Sequence, residues 1–206
     1  NTNLRETMHA LYAEQVAGFY DDIEKEFFVL NTFDEKSIVS GIIIAHEICH
    51  ALQDQNFDFE AMELFNTRND DVNYAALSVL EGDATILMSE WLKDNFKLNM
   101  VFQLFSMLGI PQDAFNQAPY FLQKLLLFPY IQGMYFMMEV MAYEGLDARD
   151  AVFRNPPRST EHILYPEKYL SGVDPPIDVV LPEGLSLPEG WRGEFENTFG
   201  LLGFKL

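Results

Sequence analysis

Two histidines and a glutamate form an HExxH motif in the segment His46-Glu47-Ile48-Cys49-His50. On a helix, a spacing of four places both imidazoles on one face, one turn apart, where they can bind the same metal ion. Glu47 is offset from this pair but close enough to reach a water molecule on the metal. The alternative is a chance match, but the motif follows an apolar run and uses two of the four histidines. It predicts zinc ligands at His46 and His50 and a catalytic general base at Glu47.

A catalytic zinc site needs a third protein ligand and an open fourth position. Glu81 is the candidate, because it lies on an apolar stripe that runs at helical spacing from Leu77 to Met88. A carboxylate on such a stripe is costly to bury unless it is paired or binds a metal. The alternative is that Glu81 pairs with a Lys or Arg or lies at a solvated edge. The sequence therefore predicts one Zn2+ held by His46, His50 and Glu81.

Asp54 and Asp83 are candidates for the residues that support these ligands. Asp54 lies one turn beyond His50, and Asp83 lies two residues past Glu81. A ligating histidine usually donates its second ring N–H to a carboxylate, a carbonyl or water. Either aspartate can serve in this way, although an Asp near a helix end is more often solvated. Gly82, next to Glu81, is expected to let a second helix approach closely.

Attack of a zinc-activated water on a carbonyl also needs a donor that stabilises the tetrahedral oxyanion. The candidates are His162, Tyr165 and Tyr169 in the late, proline-rich part of the chain, with Arg158 nearby. Of these, His162 and Tyr169 are taken with Glu47 as candidate catalytic residues. The alternative for His162 is an ordinary surface or capping histidine.

Hydrophobic periodicity predicts the elements that position these residues. They are an amphipathic helix over 3–16, a hairpin over 17–30, a buried helix over 38–55, a short helix over 57–66, a long helix from about 69 to 96, and helices over 98–108 and 112–143, the last kinked or broken at Pro119 and Pro129. Prolines are frequent after residue 150, so 155–193 is predicted mainly as ordered loop. The fold class is therefore α+β, mostly α, with a small β-hairpin.

Composition limits the classes of protein to which this chain can belong. Its 206 residues predict one domain over 1–206, with an N-terminal lobe over about 1–96 and a C-terminal lobe over about 97–206. The net charge of −19 disfavours nucleic acid and anionic membrane surfaces as partners. One cysteine, Cys49, excludes an internal disulfide and a multi-cysteine metal site. The apolar stretch over 125–143 carries polar interruptions and is predicted as a core helix, so no membrane insertion is expected.

The chain resembles the gluzincin class of zinc metallopeptidases, in which HExxH is followed by a helical glutamate, here Glu81 in Glu-Gly-Asp-Ala. More narrowly, it resembles a group of largely uncharacterised, often exported bacterial zincin-like proteins. The segments that carry this resemblance are EQVAGFY at 14–20, AHEICHALQDQ at 45–55, LEGDA at 80–84, FPYxxG at 128–133 and PPRSTEHILYPEKYL at 156–170. One feature departs from the thermolysin-like pattern, because Glu81 follows His50 by 31 positions, a longer gap than is usual there.

The resemblance implies a zincin-like fold in which an edge strand, here from the hairpin at 17–30, holds an extended peptide beside the active-site helix. It implies a zinc-dependent hydrolase, a peptidase, that acts on peptide or protein substrates with a zinc-activated water and a glutamate base. It also implies an extracytoplasmic location, whether secreted, periplasmic or lipoprotein-anchored. The alternative function is a zincin-like binding or scaffold domain with a structural or vestigial metal site. A helical interaction module without metal would make the HExxH motif and Glu81 accidental.

Overall fold

The computed structural model describes residues 4–15, 18–31, 36–57, 59, 68–95, 112–177, 184, 186–193 and 196–206. Within these ranges the chain forms helices and one two-stranded antiparallel sheet. The elements are α1 (Leu4–Gln15), β1 (Gly18–Asp21), β2 (Glu26–Val29), α2 (Ile38–Phe57), α3 (Asp70–Asn95), α4 (Gln112–Gln117), α5 (Tyr120–Glu144), α6 (Ala148–Arg154), α7 (Thr160–Leu164), α8 (Pro166–Ser171) and α9 (Gly200–Lys205). The prediction of a mostly helical α+β chain with a small hairpin is confirmed.

The two helices that carry the HExxH motif and Glu81 begin at polar side chains that cap them. The hydroxyl of Ser37 accepts a hydrogen bond from the backbone N–H of Ser40 at 3.0 Å, at the start of α2. The side chain of Asn69 accepts one from the N–H of Val72 at 3.1 Å, at the start of α3. Such caps satisfy N–H groups that have no partner within the helix. The Asn69 cap therefore sets where the helix that carries Glu81 begins.

The turn of the hairpin is formed by Asp21, which accepts hydrogen bonds from the turn backbone, and by Lys25, whose φ lies in the left-handed region. Asp21 accepts hydrogen bonds from the backbone N–H groups of Ile23 at 2.9 Å and Glu24 at 2.8 Å. Lys25 has φ +58 and brings the chain back into β2. An Asx side chain that binds the backbone two residues on favours such a turn. The acidic segment at 21–25 is thus the hairpin turn, as predicted.

Helices α3 and α5 pack together through glycines. A Cβ on Gly133 would lie 2.0 Å from the carbonyl oxygen of Ser78, and one on Gly82 would lie 2.2 Å from the carbonyl carbon of Gly133. Only glycine leaves room for backbones this close. Val79, from α3, and Phe136, from α5, are fully buried in the core that surrounds this contact. The close approach expected at Gly82 is confirmed.

Proline affects the fifth helix in two different ways. Pro119 precedes its first residue and separates α4 from α5, as predicted. Pro129 lies inside α5, which continues through it, so the helix is not broken there. Among the described helices, α5 alone is long and apolar enough to cross a membrane by length and composition, and one third of its apolar window is buried. The predicted helices over 57–66 and 98–108 lie outside the described residues.

The prediction that 155–193 is mainly loop was wrong for residues 160–171, which form α7 and α8. Ser159 caps α7, because its hydroxyl accepts a hydrogen bond from the N–H of His162 at 3.2 Å. Pro166 is the first residue of α8, a position where proline loses no hydrogen bond and its fixed φ suits the helix. Gly172, with φ +62, ends this helix. Pro166 thus begins a short helix in a segment that was predicted as loop.

Candidate metal centre

The side chains of His46, His50 and Glu81 meet at one point between α2 and α3. The Nε2 atom of His46 lies 3.0 Å from Nε2 of His50 and 3.0 Å from Oε2 of Glu81. The third separation, from Nε2 of His50 to Oε2 of Glu81, is 3.5 Å. Ligand atoms at about 2.0–2.1 Å from a tetrahedral zinc ion are separated by roughly 3.3 Å. The three atoms therefore have the spacing of three corners of a zinc site, and the donor set suits zinc.

The side chains of His46, His50 and Glu81 are mostly buried, and the charges of His50 and Glu81 interact strongly. The side chains of His46 and Glu81 are 13% and 14% exposed. Burial alone would raise the pKa of Glu81, but the charge of His50 and hydrogen bonds from both histidines lower it well below its usual value. Burial would lower the pKa of His50, but the charge and hydrogen bond of Glu81 raise it to about 9. Glu81 is thus an anion that needs a cation beside it.

Glu47 is held by the hairpin. Its Oε2 atom accepts a hydrogen bond from the backbone N–H of Tyr20, in β1, at 2.8 Å. Burial raises the pKa of Glu47, while the charges of His50 and His46 and the Tyr20 N–H oppose that rise. A carboxylate with a raised pKa is a better proton acceptor near neutral pH than a solvated one. One oxygen of Glu47 is therefore positioned by β1, and the group as a whole suits a general base.

Gln53, which the sequence prediction missed, makes direct contact with the candidate ligand His50. Its Oε1 atom lies 2.9 Å from Nδ1 of His50. Its amide nitrogen donates to Oδ2 of Asp83 at 2.7 Å and to the carbonyl of Leu80 at 3.2 Å. Asp83 thus supports His50 through Gln53 rather than by touching the ring. The signal was available in the spacing, because Gln53 follows His50 by three positions on α2 and shares its face.

Asp83 is itself held by an arginine from a later helix. The Nε and Nη2 atoms of Arg149, in α6, donate to the two carboxylate oxygens at 2.5 Å and 2.7 Å. The Asp83 side chain is 3% exposed, so this pairing neutralises a buried charge. Cys49, beside this pair, is fully buried and has a pKa raised to about 12 by burial first and then by the charge of Asp83. Cys49 is therefore a core residue.

Asp54 anchors the hairpin, and its hydrogen bonds to described side chains do not go to His50. Its Oδ2 atom accepts from the hydroxyl of Tyr20 at 2.8 Å and from Nζ of Lys25 at 2.5 Å. Because Tyr20 also donates its backbone N–H to Glu47, Asp54 fixes the strand that positions the Glu47 carboxylate. Its position one turn beyond His50 therefore serves the hairpin.

Replacing Asp54 with asparagine is expected to loosen the hairpin by about 1–2 kcal/mol, because the hydroxyl of Tyr20 and the ammonium of Lys25 lose a charged acceptor. Hydrogen exchange of the Tyr20 amide measures the change, with Glu26→Gln on β2 as the control. In the unaltered protein, hydrogen bonds from Lys25 and Tyr20 overcome burial and lower the pKa of Asp54. The stabilisation is therefore present above about pH 4 and lost on further acidification. Equal protection in D54N and E26Q would contradict the anchor.

The oxyanion-donor candidates His162, Tyr165 and Tyr169 form their hydrogen bonds away from the candidate metal ligands. The hydroxyl of Tyr169 donates to the carbonyl of Asn155 at 2.8 Å, and Nε2 of His162 lies 3.3 Å from the carbonyl of Asp174. The hydroxyl of Tyr165 accepts from the ammonium of Lys205 at 2.9 Å. Between the described residues, the hydrogen bonds and ring contacts of these three side chains do not reach His46, Glu47, His50 or Glu81.

Tyr130, on α5, places its hydroxyl beside Glu81, one of the candidate metal ligands. Its ring stacks on His46 with the centroids 6.0 Å apart. The charge of Glu81, burial, the charge of Glu47 and a hydrogen bond to Glu81 raise the pKa of Tyr130 well above its usual value, so the phenol keeps its proton. A signal existed in the FPYxxG segment, since Gly133 brings α5 against α3 and carries Tyr130 with it.

Comparison of the chain with protein-family models, with curated proteins and with solved structures finds no match. The function is therefore argued from the site itself, since a fold alone does not define a reaction. The site has three converging ligand atoms, a carboxylate with a raised pKa and a protonated phenol.

Proposed function

We propose that this protein is a zinc-dependent hydrolase of the zincin type and that it cleaves peptide bonds. The observation that carries the proposal is the convergence of His46, His50 and Glu81, whose three ligand atoms have the spacing of a tetrahedral zinc site. A negative charge buried on α3 also needs a cation. The zincin architecture is supported by a hairpin that touches the active-site helix and by a second helix that supplies the glutamate.

The chemistry that zinc supplies when bound is Lewis acidity, which polarises a carbonyl and makes water acidic near neutral pH. Glu47 takes the proton of the attacking water and passes it to the leaving amine. Its Oε2 atom is held by the N–H of Tyr20, which leaves Oε1 to face the reacting groups. Buried surroundings raise the proton affinity of Glu47 and so support both transfers.

Strand β1 supports a peptide as the substrate class. It pairs with β2 along one edge, with Tyr20 opposite Phe27. The backbone N–H of Tyr20 points away from that pairing and toward Glu47 on α2. Because N–H and C=O groups on one edge of a strand repeat every second residue, Gly18 faces the same way. Because the N–H of Tyr20 already binds Glu47, an extended peptide would pair with this edge at Gly18 and pass beside the general base.

We assign the oxyanion-stabilising donor to Tyr130 in place of His162 or Tyr169. The proposal rests on its protonated hydroxyl beside Glu81 and on the other contacts that the late candidates make. Tyr130→Phe keeps the ring that stacks on His46 and removes only the donor. It is expected to lower kcat by about 10²–10³-fold with zinc still bound. Tyr169→Phe is the matched control and should retain full kcat; the reverse ranking would return the role to the late tyrosine.

Zinc content tests the site directly. The purified protein is expected to hold one zinc per chain, measured by plasma mass spectrometry after dialysis. His46→Ala/His50→Ala should hold none, because one remaining carboxylate binds zinc weakly, and Glu81→Ala should bind at least tenfold more weakly. His9→Ala, on the exposed face of α1, should match the unaltered chain. Stoichiometric zinc in the double variant would contradict the site.

A further inference from the structure

The Gln53 side chain lies between a candidate metal ligand and a buried ion pair. Its exposed fraction is 1%, so each of its polar atoms needs a partner inside the protein. On one side it meets Nδ1 of His50 at 2.9 Å. On the other it meets Asp83 at 2.7 Å and the carbonyl of Leu80 at 3.2 Å. The partners on the second side decide which way the amide points.

The Leu80 carbonyl and the Asp83 carboxylate can only accept hydrogen bonds. Both oxygens of Asp83 also accept hydrogen bonds from Arg149. The NH2 end of Gln53 must therefore face Asp83, which leaves Oε1 facing His50. Since an amide oxygen only accepts, the single proton of the neutral His50 ring has to be on Nδ1. Nε2 of His50 then carries the lone pair, and it is this atom that lies 3.0 Å from His46 and 3.5 Å from Glu81.

We infer that Gln53, Asp83 and Arg149 act as a chain of positioning residues that holds His50 with its proton on Nδ1 and presents Nε2 to the metal. Arg149 belongs to α6 and lies 66 positions from Asp83 along the sequence. A helix from the second half of the chain thus orients a ligand in the first half. The link to zinc affinity rests on the proposed function, whereas the proton position is a property of the metal-free protein.

The proton position can be measured without metal. Nitrogen–proton correlation spectra of 15N-histidine-labelled, metal-free protein, recorded at increasing pH until the His50 signals report the neutral ring, distinguish a proton on Nδ1 from one on Nε2. The unaltered protein is expected to show Nδ1–H for His50. Gln53→Leu should lose that form, because its acceptor is gone. Gln55→Leu, an exposed glutamine on the same helix, should keep it. A proton on Nε2 in the unaltered protein would overturn the inference.

Zinc affinity, titrated against a competing chelator, gives the second readout. Gln53→Leu is expected to bind zinc about 10–100-fold more weakly, the usual loss when a group behind a ligand is removed. The exchange Gln53→Glu/Asp83→Asn keeps one carboxylate and one amide in contact and restores an acceptor to His50. It should recover affinity to within about threefold of the unaltered chain, because an acceptor again faces Nδ1 of His50.

Three outcomes distinguish a failure of this inference from a failure of the proposed function. Unweakened zinc binding in Q53L, at equal thermal stability, or no recovery in the folded Q53E/D83N exchange would overturn the positioning role. The Nδ1–H signal in an unaltered protein that binds no zinc would support the proton assignment and overturn the hydrolase proposal.

Discussion

Replacing Glu47 with glutamine is expected to abolish peptide hydrolysis while zinc remains bound. The substitution preserves the length of the side chain and can still accept the hydrogen bond from the backbone of Tyr20. It removes the atom that takes a proton from water. General bases of this kind contribute about 10²–10⁴ to the rate, so kcat/KM should fall by that factor or more. His46, His50 and Glu81 are untouched, and the zinc content should stay at one per chain.

The measurement uses a quenched fluorescent peptide library and zinc analysis on the same preparations. Glu90→Gln is the matched control, because Glu90 is exposed on α3 and takes no part in the site. Unchanged turnover in E47Q would remove Glu47 from the mechanism. A zinc-loaded, unaltered protein with no turnover on any peptide would instead favour the alternative of a zincin-like binding or scaffold domain.

The parts of the site that sequence could predict are those set by local geometry. His46 and His50 lie one turn apart on any helix, so their shared direction follows from the spacing alone. Glu81 was predicted from a burial argument, because a charge on an apolar helical face has to find a partner. His46 lies 35 positions before Glu81 in the sequence. The energetic cost of burying an unpaired carboxylate was nevertheless enough to predict that the two side chains meet.

The supporting residues depend on how distant elements pack, and so the sequence prediction of them was incomplete. Asp54 shares a helix with His50, but the hairpin brings Tyr20 and Lys25 to it. Tyr130 reaches the ligands because glycines let α5 approach α3, a distance that no spacing rule gives. Late polar residues such as His162 looked suitable by chemistry alone, yet their partners lie in their own segment. Residue type indicated which side chains could support the site, and tertiary packing decided which of them lie near enough to do so.

The same packing leads to the largest expected loss of stability, at Gly133. An added methyl group in Gly133→Ala would lie 2.0 Å from the carbonyl oxygen of Ser78 and 3.1 Å from its Cα. Backbone atoms cannot turn away as a flexible side chain can, so α3 and α5 have to separate. Alanine favours the helix by about 1 kcal/mol over glycine, but this gain is small beside the strain. We expect a net loss of at least about 3 kcal/mol in the free energy of unfolding, measured with urea.

The separation should also reach the metal centre, because α3 carries Glu81 and α5 carries Tyr130. A folded G133A protein is therefore expected to bind zinc at least tenfold more weakly, since positions within about 0.5 Å decide whether ligands converge. Gly193→Ala is the matched control. Among the described residues, no atom beyond its chain neighbours lies within 4 Å of its added methyl group, and its stability should change by less than about 0.5 kcal/mol. If G133A were instead as stable as G193A, the close contact between α3 and α5 would be wrong, and with it the placement of Tyr130 beside the ligands.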